Sequence, residues 1–309
     1  HSHDTSVALV QDGKVLYAAS NERFSRVKLD TGVPLKVLED CLSYLKISPK
    51  QIDKVVFVGD PFPRSFIGMF KEMSWRILLT KGKYLFLWKN IWRILIDIIF
   101  GTGIPSFLYR DLLPQQMIKN KLKGYKGNIT FVHHHMAHLY SAYWGSGWKS
   151  CLVVAIEGSG FDETMSIYKV VNGEWDKIVE NNLPHSAGKF YELVTEILGF
   201  NVLRHPGKIT GLAAYGDPTK AYNAIKKLLS VDNLSLKLNY QTYIRWDIYY
   251  RQNKKLPPTL RKYKREDIAA AFQRRLEECI VEIVSKAINL SGLSNLALCG
   301  GVTANVKLN

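Results

Sequence analysis

The chain has 309 residues, 47% of them hydrophobic and 22% charged, which excludes a collagen, a small disulfide scaffold and a wholly disordered polymer. Its 42 Lys and Arg against 27 Asp and Glu give a formal charge of +15, a balance suited to nucleic acid, an anionic membrane or a phosphorylated substrate. The four cysteines, Cys41, Cys151, Cys279 and Cys299, form no C-x-x-C pair, so no cysteine zinc site is expected and they read as reduced, mostly buried thiols of a cytoplasmic protein.

The chain opens on His1 rather than Met, with no signal peptide, so it is expected to start inside a longer protein. Residues 7–19 hold two apolar runs around Asp12-Gly13, a hairpin signal because both central residues of a type I′ turn need positive φ. A helix over 35–45 and a buried strand over 55–59 follow. Residues 64–126 carry 12 Lys or Arg against three acids. Within them, Lys89, Arg93 and Asp97 recur at four-residue spacing through the apolar run 84–104, which predicts an amphipathic helix rather than a membrane span. Such a helix packs on its own domain, lies on an anionic membrane, or rims a site for an acidic substrate.

Residues 129–132 read as a strand feeding a helix over 134–143. A buried strand over 151–156 then meets Gly158-Ser159-Gly160. An apolar run after Asp162-Glu163-Thr164 leads into Asn172-Gly173 and a further strand over 175–179, repeating the order of the opening hairpin and suggesting two related α/β halves. Helices are expected over 186–198 and 267–289, the second capped by Gly292. The basic, proline-containing run 254–265 reads as a loop. A buried strand over 296–299 runs into Gly300-Gly301, and the chain ends at Asn309 with no closing element. The pattern is α/β with mixed sheets, and a carboxyl-terminal continuation is expected.

The sharpest chemical signal is His133-His134-His135-Met136-Ala137-His138. Residues four apart share a helix face, so His134 and His138 can offer two imidazoles to one metal ion. His135 stands where a zinc protease of the H-E-x-x-H type needs its glutamate, which excludes that chemistry. The third donor must come from elsewhere, and Glu157, read as ending a buried strand at a glycine turn, is the candidate. Gly158 and Gly160 after it are candidates for cradling a phosphate on backbone N–H groups. The segment 207–211 is glycine-rich without being a Walker loop. Gly300 and Gly301 suit a nucleotide lying against backbone, or simply a tight turn. His3-Asp4 is a candidate general base, and Arg23, Arg26 and Lys28 either neutralise a phosphate or form a solvated loop.

Taken in order, these segments resemble the carbamoyltransferases of the nodulation-protein and antibiotic-biosynthesis type over most of the chain outside the basic insertion. The motifs are His3-Asp4-Thr5-Ser6-Val7-Ala8-Leu9-Val10, Glu22-Arg23-Phe24-Ser25-Arg26-Val27-Lys28, His134-His135-Met136-Ala137-His138-Leu139-Tyr140-Ser141-Ala142, the glycine-rich stretch 207–216, the helix segment 267–273 and Gly300-Gly301 through Asn305. The resemblance implies a two-lobed, actin-like (ribonuclease-H-like) ATPase-type fold. Its first lobe would be residues 1–130, with a helical insertion at about 62–125, and its second 131–309, incomplete at its carboxyl end.

It further implies a carbamoyl adenylate, made from ATP and carbamoyl phosphate by a carboxyl-terminal adenylate-forming domain that 309 residues leave no room for. Beside it would sit Fe2+ or another divalent transition metal, held by His134, His138 and Glu157, the last standing where the family usually has Asp. A further family acid would lie beyond Asn309. Lys28 carries over as an adenylate phosphate contact and Gly300, Gly301 and Asn305 as nucleotide contacts, with Lys208 a further cofactor-binding candidate. Transfer would go to a hydroxyl of a sugar-containing or other small-molecule acceptor, a glycolipid included, with Lys28 polarising the donor and His3 or Asp4 as base. Peripheral membrane contact through the insertion fits this reading, and a nucleic-acid partner is not expected. The alternatives are an enzyme like the tRNA threonylcarbamoyl transferases and a degenerate nucleotide-binding module without turnover.

Overall fold

In a computed structural model, which describes residues 5–30, 32–58, 113–160 and 162–309, Asp12 and Gly13 both take positive φ, 50° and 75°. They join β1 (Ser6–Gln11) to β2 (Lys14–Ser20) as an antiparallel pair. The Asp-Gly turn does what its sequence demands: its twist matches that of the flanking strands. The same device recurs at Asn172 and Gly173, with φ of 51° and 88°. His3-Asp4 and the amphipathic segment 84–104 lie outside the described residues.

The chain divides into two units. The described part of the first runs from Thr5 to Val58 and from Leu113 to Val132. After the hairpin it holds a single helical turn, α1 (Glu22–Ser25), and α2 (Leu35–Leu45). Val37, Leu38 and Cys41 are buried on α2, the i, i+1, i+4 stripe of an amphipathic helix. The strand β3 (Val55–Val58) pairs in parallel with β4 (Ile129–Val132), and α3 (Leu113–Lys121) lies between them in sequence. Phe57 and Phe131 stack across that pair at 5.9 Å.

The described part of the second unit begins at His133. Its helix α4 (His134–Ser146) runs three residues past the expected end, to a Gly147 cap with φ of 70°. The strands β5 (Ser150–Gly160), β6 (Glu163–Val171), β7 (Glu174–Asn182) and β10 (Leu296–Cys299) form one sheet in the order β10-β5-β6-β7. β10 lies parallel to β5, and the other neighbours are antiparallel. Around the sheet lie α5 (Ala187–Ile197), α6 (Pro206–Ala213), α7 (Pro218–Ile225), α8 (Tyr240–Asn253) and α9 (Arg265–Ser291), with a small hairpin of β8 (Leu229–Asp232) and β9 (Ser235–Leu238). The basic run after Lys254 is a loop with one short 3-10 turn at Pro258–Leu260, and α9 ends at Gly292 with φ of 68°.

Residues 151–156 of β5 are buried without a break, the mark of a strand covered on both faces. Alternation sorts them. Leu152, Val154 and Ile156 join the large core built with Phe190, Leu193 and Val194 of α5 and Ile268, Phe272 and Leu276 of α9. Cys151, Val153 and Ala155 join a smaller core with Leu139 and Tyr143 of α4. The result is a three-layer mixed α/β arrangement, with α4 on one face of the sheet and α5 and α9 on the other. All four cysteines are free, and Cys41, Cys151 and Cys279 are buried. Among the described residues no helix is long and apolar enough to cross a membrane.

Candidate metal centre

Period two decides where Glu157 points. Cys151, Val153 and Ala155 face α4, so the next odd position puts the Glu157 carboxylate on that same side. On α4, His135, Leu139 and Tyr143 form the buried stripe against the sheet. His134 and His138, one residue before the first two of these, lie on the adjoining face. The strand end and the helix face therefore bring His134, His138 and Glu157 together, with one donor atom from each lying within 4.8 Å of the others.

The His134 Nε2 and His138 Nε2 atoms are 3.1 Å apart, with the rings edge-on. His138 Nε2 is 3.3 Å from Glu157 Oε1 and His134 Nε2 is 3.8 Å from Oε2. An ion at about 2.1 Å from each donor has edges near 3.0 Å in an octahedral set and near 3.4 Å in a tetrahedral one. Two of the three edges already match, and a small carboxylate rotation brings in the third. Two imidazoles and one carboxylate are the donor set of mononuclear iron(II) and zinc centres, so the residues fit the expected divalent ion. All three side chains are half-buried, between 16% and 34% exposed, which leaves room for an exchangeable ligand.

Electrostatics keeps the donors ready for a cation. Burial lowers the His138 pKa against the pull of Glu157, so its imidazole stays neutral. Burial on its own raises the Glu157 carboxyl, but the His134 imidazole, the Gly301 N–H and His138 together outweigh it and hold the group ionised. Burial pushes the Cys299 thiol, with Glu157 nearby, up to about 12, so it remains a protonated packing group and no thiolate competes for the ion. Next along α4, His135 is fully buried and burial takes its pKa down to about 4, so this ring too is neutral.

The glycines beside Glu157 correct one expectation. Residues 158–160 do not form a turn: they continue β5, with its register against β6 shifting between Ile156 and Gly160. Each glycine admits a neighbour. A Cβ on Gly188, in the first turn of α5, would lie 2.3 Å from Gly158 Cα, so helix and strand touch backbone to backbone. A Cβ on Gly160 would lie 2.7 Å from His134 Cδ2. Ser186 caps α5 by accepting from Lys189 N–H and donates to Gly158 O at 2.7 Å. Gly188→Ala is therefore expected to cost about 1–3 kcal/mol, read as a lower denaturation midpoint, because neither backbone can give way.

Other expected site residues are placed as follows. Gly300 has φ of 92°, and a Cβ there would lie 2.5 Å from Ile156 O, so only glycine fits between β10 and β5. The Gly301 N–H donates to Glu157 Oε1. Asn305 forms a reciprocal amide pair with Gln273 of α9, at 2.9 and 3.1 Å, and Tyr191 of α5 donates to the same Gln273 oxygen at 2.6 Å. Gln273 closes the motif segment 267–273, but neither its contact with Asn305 nor the part played by Tyr191 follows from the sequence. Their partners lie 82 and 32 residues away, beyond any local signal. Lys208 is exposed on α6, its ammonium 5.7 Å from the centre of the Phe200 ring. In the first unit, Arg23, Arg26 and Lys28 are exposed around a turn pinned by Asn21 donating to Asp30 at 2.8 Å.

His134, His138 and Glu157 form a triad of metal-type donors between a helix and a strand end of a mixed α/β protein. The family model described as Carbamoyltransferase N-terminus matches residues 1–309, and the chain belongs to that family. Over 99% of its length it is 29% identical to an uncharacterized protein of Methanocaldococcus jannaschii, covering 56% of that protein. It is 26% identical over 99% of its length to the nodulation protein NolNO of Sinorhizobium fredii, covering 42% of it. A tRNA N6-adenosine threonylcarbamoyltransferase of Thermotoga neapolitana is 25% identical over 79% of the chain and 72% of its own length. The chain spans about half the length of the first of these relatives.

Proposed function

We propose that the chain is the transfer domain of an O-carbamoyltransferase. In this reading it holds a carbamoyl adenylate, formed from ATP and carbamoyl phosphate on a second domain, and passes the carbamoyl group to a hydroxyl of a sugar-containing small molecule or glycolipid. Family membership over the whole chain supports carbamoyl transfer, and the relative named as a nodulation protein supports the small-molecule reading. The observation that carries it is the convergence of His134, His138 and Glu157.

His134, His138 and Glu157 would hold a divalent ion such as Fe2+, which would supply Lewis acidity toward a carbonyl or phosphoryl oxygen of the donor. The acceptor oxygen forms a bond to the carbamoyl carbon, the bond from that carbon to the adenylate phosphate oxygen breaks, and AMP leaves with the electron pair. The hydroxyl proton passes to a base, for which His3 is the first choice and Asp4 the second. Lys28 neutralises the departing phosphate, and Lys208, Gly300, Gly301 and Asn305 provide the surface on which the nucleotide lies, whereas Gly158 and Gly160, expected from the sequence to cradle a phosphate, are covered by Gly188 and by the His134 and His135 rings. Gln273 and Tyr191 fix the Asn305 amide for that contact.

The test supplies ready-made carbamoyl adenylate to the Fe2+-loaded chain with amino sugars, lipo-oligosaccharides or polysaccharide precursors. One carbamate ester formed per AMP released, dependent on the acceptor, is the expected result. Tight adenylate binding with no acceptor-dependent AMP release overturns the enzyme reading in favour of a binding module. The similarity to tRNA-modifying enzymes favours a second acceptor class, and transfer from threonylcarbamoyl adenylate to tRNA in a parallel reaction would select it.

A further inference from the structure

His135 is an unusual occupant of its position. It opens the buried stripe of α4 that continues with Leu139 and Tyr143 and is fully inaccessible to solvent. Every simple packing argument asks for an apolar side chain there. The ring instead reaches across β5, and its Nδ1 lies 2.9 Å from Ser166 Oγ on β6. Ser166, paired in register with Ala155, donates its hydroxyl to Glu163 Oε2 at 3.2 Å. With that proton committed, Nδ1 of His135 must carry the hydrogen and donate to Ser166. The other nitrogen, Nε2, is buried without a hydrogen-bond partner, a cost that leucine would avoid.

The ring's second neighbour explains its shape. A Cβ on Gly160 would lie 2.4 Å from His135 Cδ2, 2.9 Å from its Nε2 and 2.7 Å from His134 Cδ2. The edge of His135 and the adjacent edge of His134 therefore rest together on bare backbone at the end of β5, in the strand that also carries Glu157.

We propose that His135, tied to Ser166 and seated with His134 on Gly160, is a positioning residue that fixes the first turn of α4 so that His134 and His138 meet Glu157. The hydrogen bond sets the rotation of the helix about its axis, and the missing Cβ at residue 160 sets its height above the strand. His135 touches no ion in this account and acts through the backbone it shares with His134. The proposal rests on the metal reading of the triad. It adds what an ion alone does not supply, a site formed before the ion arrives.

The experiment titrates the full chain with Co2+ and records both affinity and the visible ligand-field spectrum, well below each variant's unfolding temperature. His135→Leu keeps bulk and removes the hydrogen bond, and it is expected to weaken Co2+ binding by roughly 10–100-fold, the usual effect of losing an outer support of a metal site, with a shifted spectrum. His135→Asn places an amide N–H near the position of Nδ1 and is expected to restore most of the affinity and the native spectrum. Ser166→Ala, a small change that keeps the fold even where His135→Leu does not, is expected to weaken binding by about 10-fold. Affinities within threefold of wild type and unchanged spectra in His135→Leu and Ser166→Ala would overturn the positioning role while leaving the metal site standing. A wild-type chain that takes up neither Co2+ nor Fe2+ would overturn the metal reading itself, and the positioning role with it.

Discussion

His138→Ala is expected to lower affinity for Fe2+ or Co2+ by about 100-fold. Structural zinc sites with four ligands are worth ~10–16 kcal/mol, or about 3 kcal/mol per ligand, and each 1.4 kcal/mol is a factor of ten. His138 is half-exposed on a face of α4 that the core does not use, so the variant should fold as the wild type does. Titration calorimetry followed by metal analysis checks both points. His134→Ala should behave alike. Equal affinity in wild type and both variants would mean that the ion binds elsewhere.

The largest expected loss of stability is at Phe272. Its ring and that of Phe190 are both fully buried, with centres 4.7 Å apart, and they join α9 to α5 beneath the sheet. Phe272→Ala should cost about 3–5 kcal/mol, since neighbours collapse only partly into the cavity. Urea unfolding with an unchanged slope and a lower midpoint is the expected record. A loss under about 1 kcal/mol would contradict the packing. The change also bears on Asn305, because Gln273, the next residue of α9, holds its amide. A shift in nucleotide affinity alongside the lost stability would link the core to the proposed nucleotide surface.

Much of this was legible in the sequence because the signals are local. Asp12-Gly13 and Asn172-Gly173 can only be turns, and both pairs adopt the positive φ values their composition demands. The i, i+4 histidines needed only helix geometry, and Gly292 needed only its place after an apolar stripe. What the sequence hid depends on segments far apart along the chain. The run Gly158-Ser159-Gly160 reads as a turn until α5 is known to press Gly188 onto it and α4 to seat two histidines there. Then it is plain why strand residues with no side chain were needed. The helix α8 and the β8-β9 hairpin lacked a strong local signal beyond Asn233, whose φ of 54° makes the turn. The amide pair of Asn305 and Gln273, and His135 bonded to Ser166, join residues more than thirty positions apart, and no spacing rule reaches them.

One divalent ion is expected to bind between α4 and the end of β5, at His134, His138 and Glu157. Anomalous diffraction at the iron or cobalt edge from metal-loaded crystals tests it most directly. The account predicts a single strong peak about 2.1 Å from His134 Nε2, His138 Nε2 and a Glu157 carboxylate oxygen. A peak held by other residues, or none at saturating metal, would contradict it.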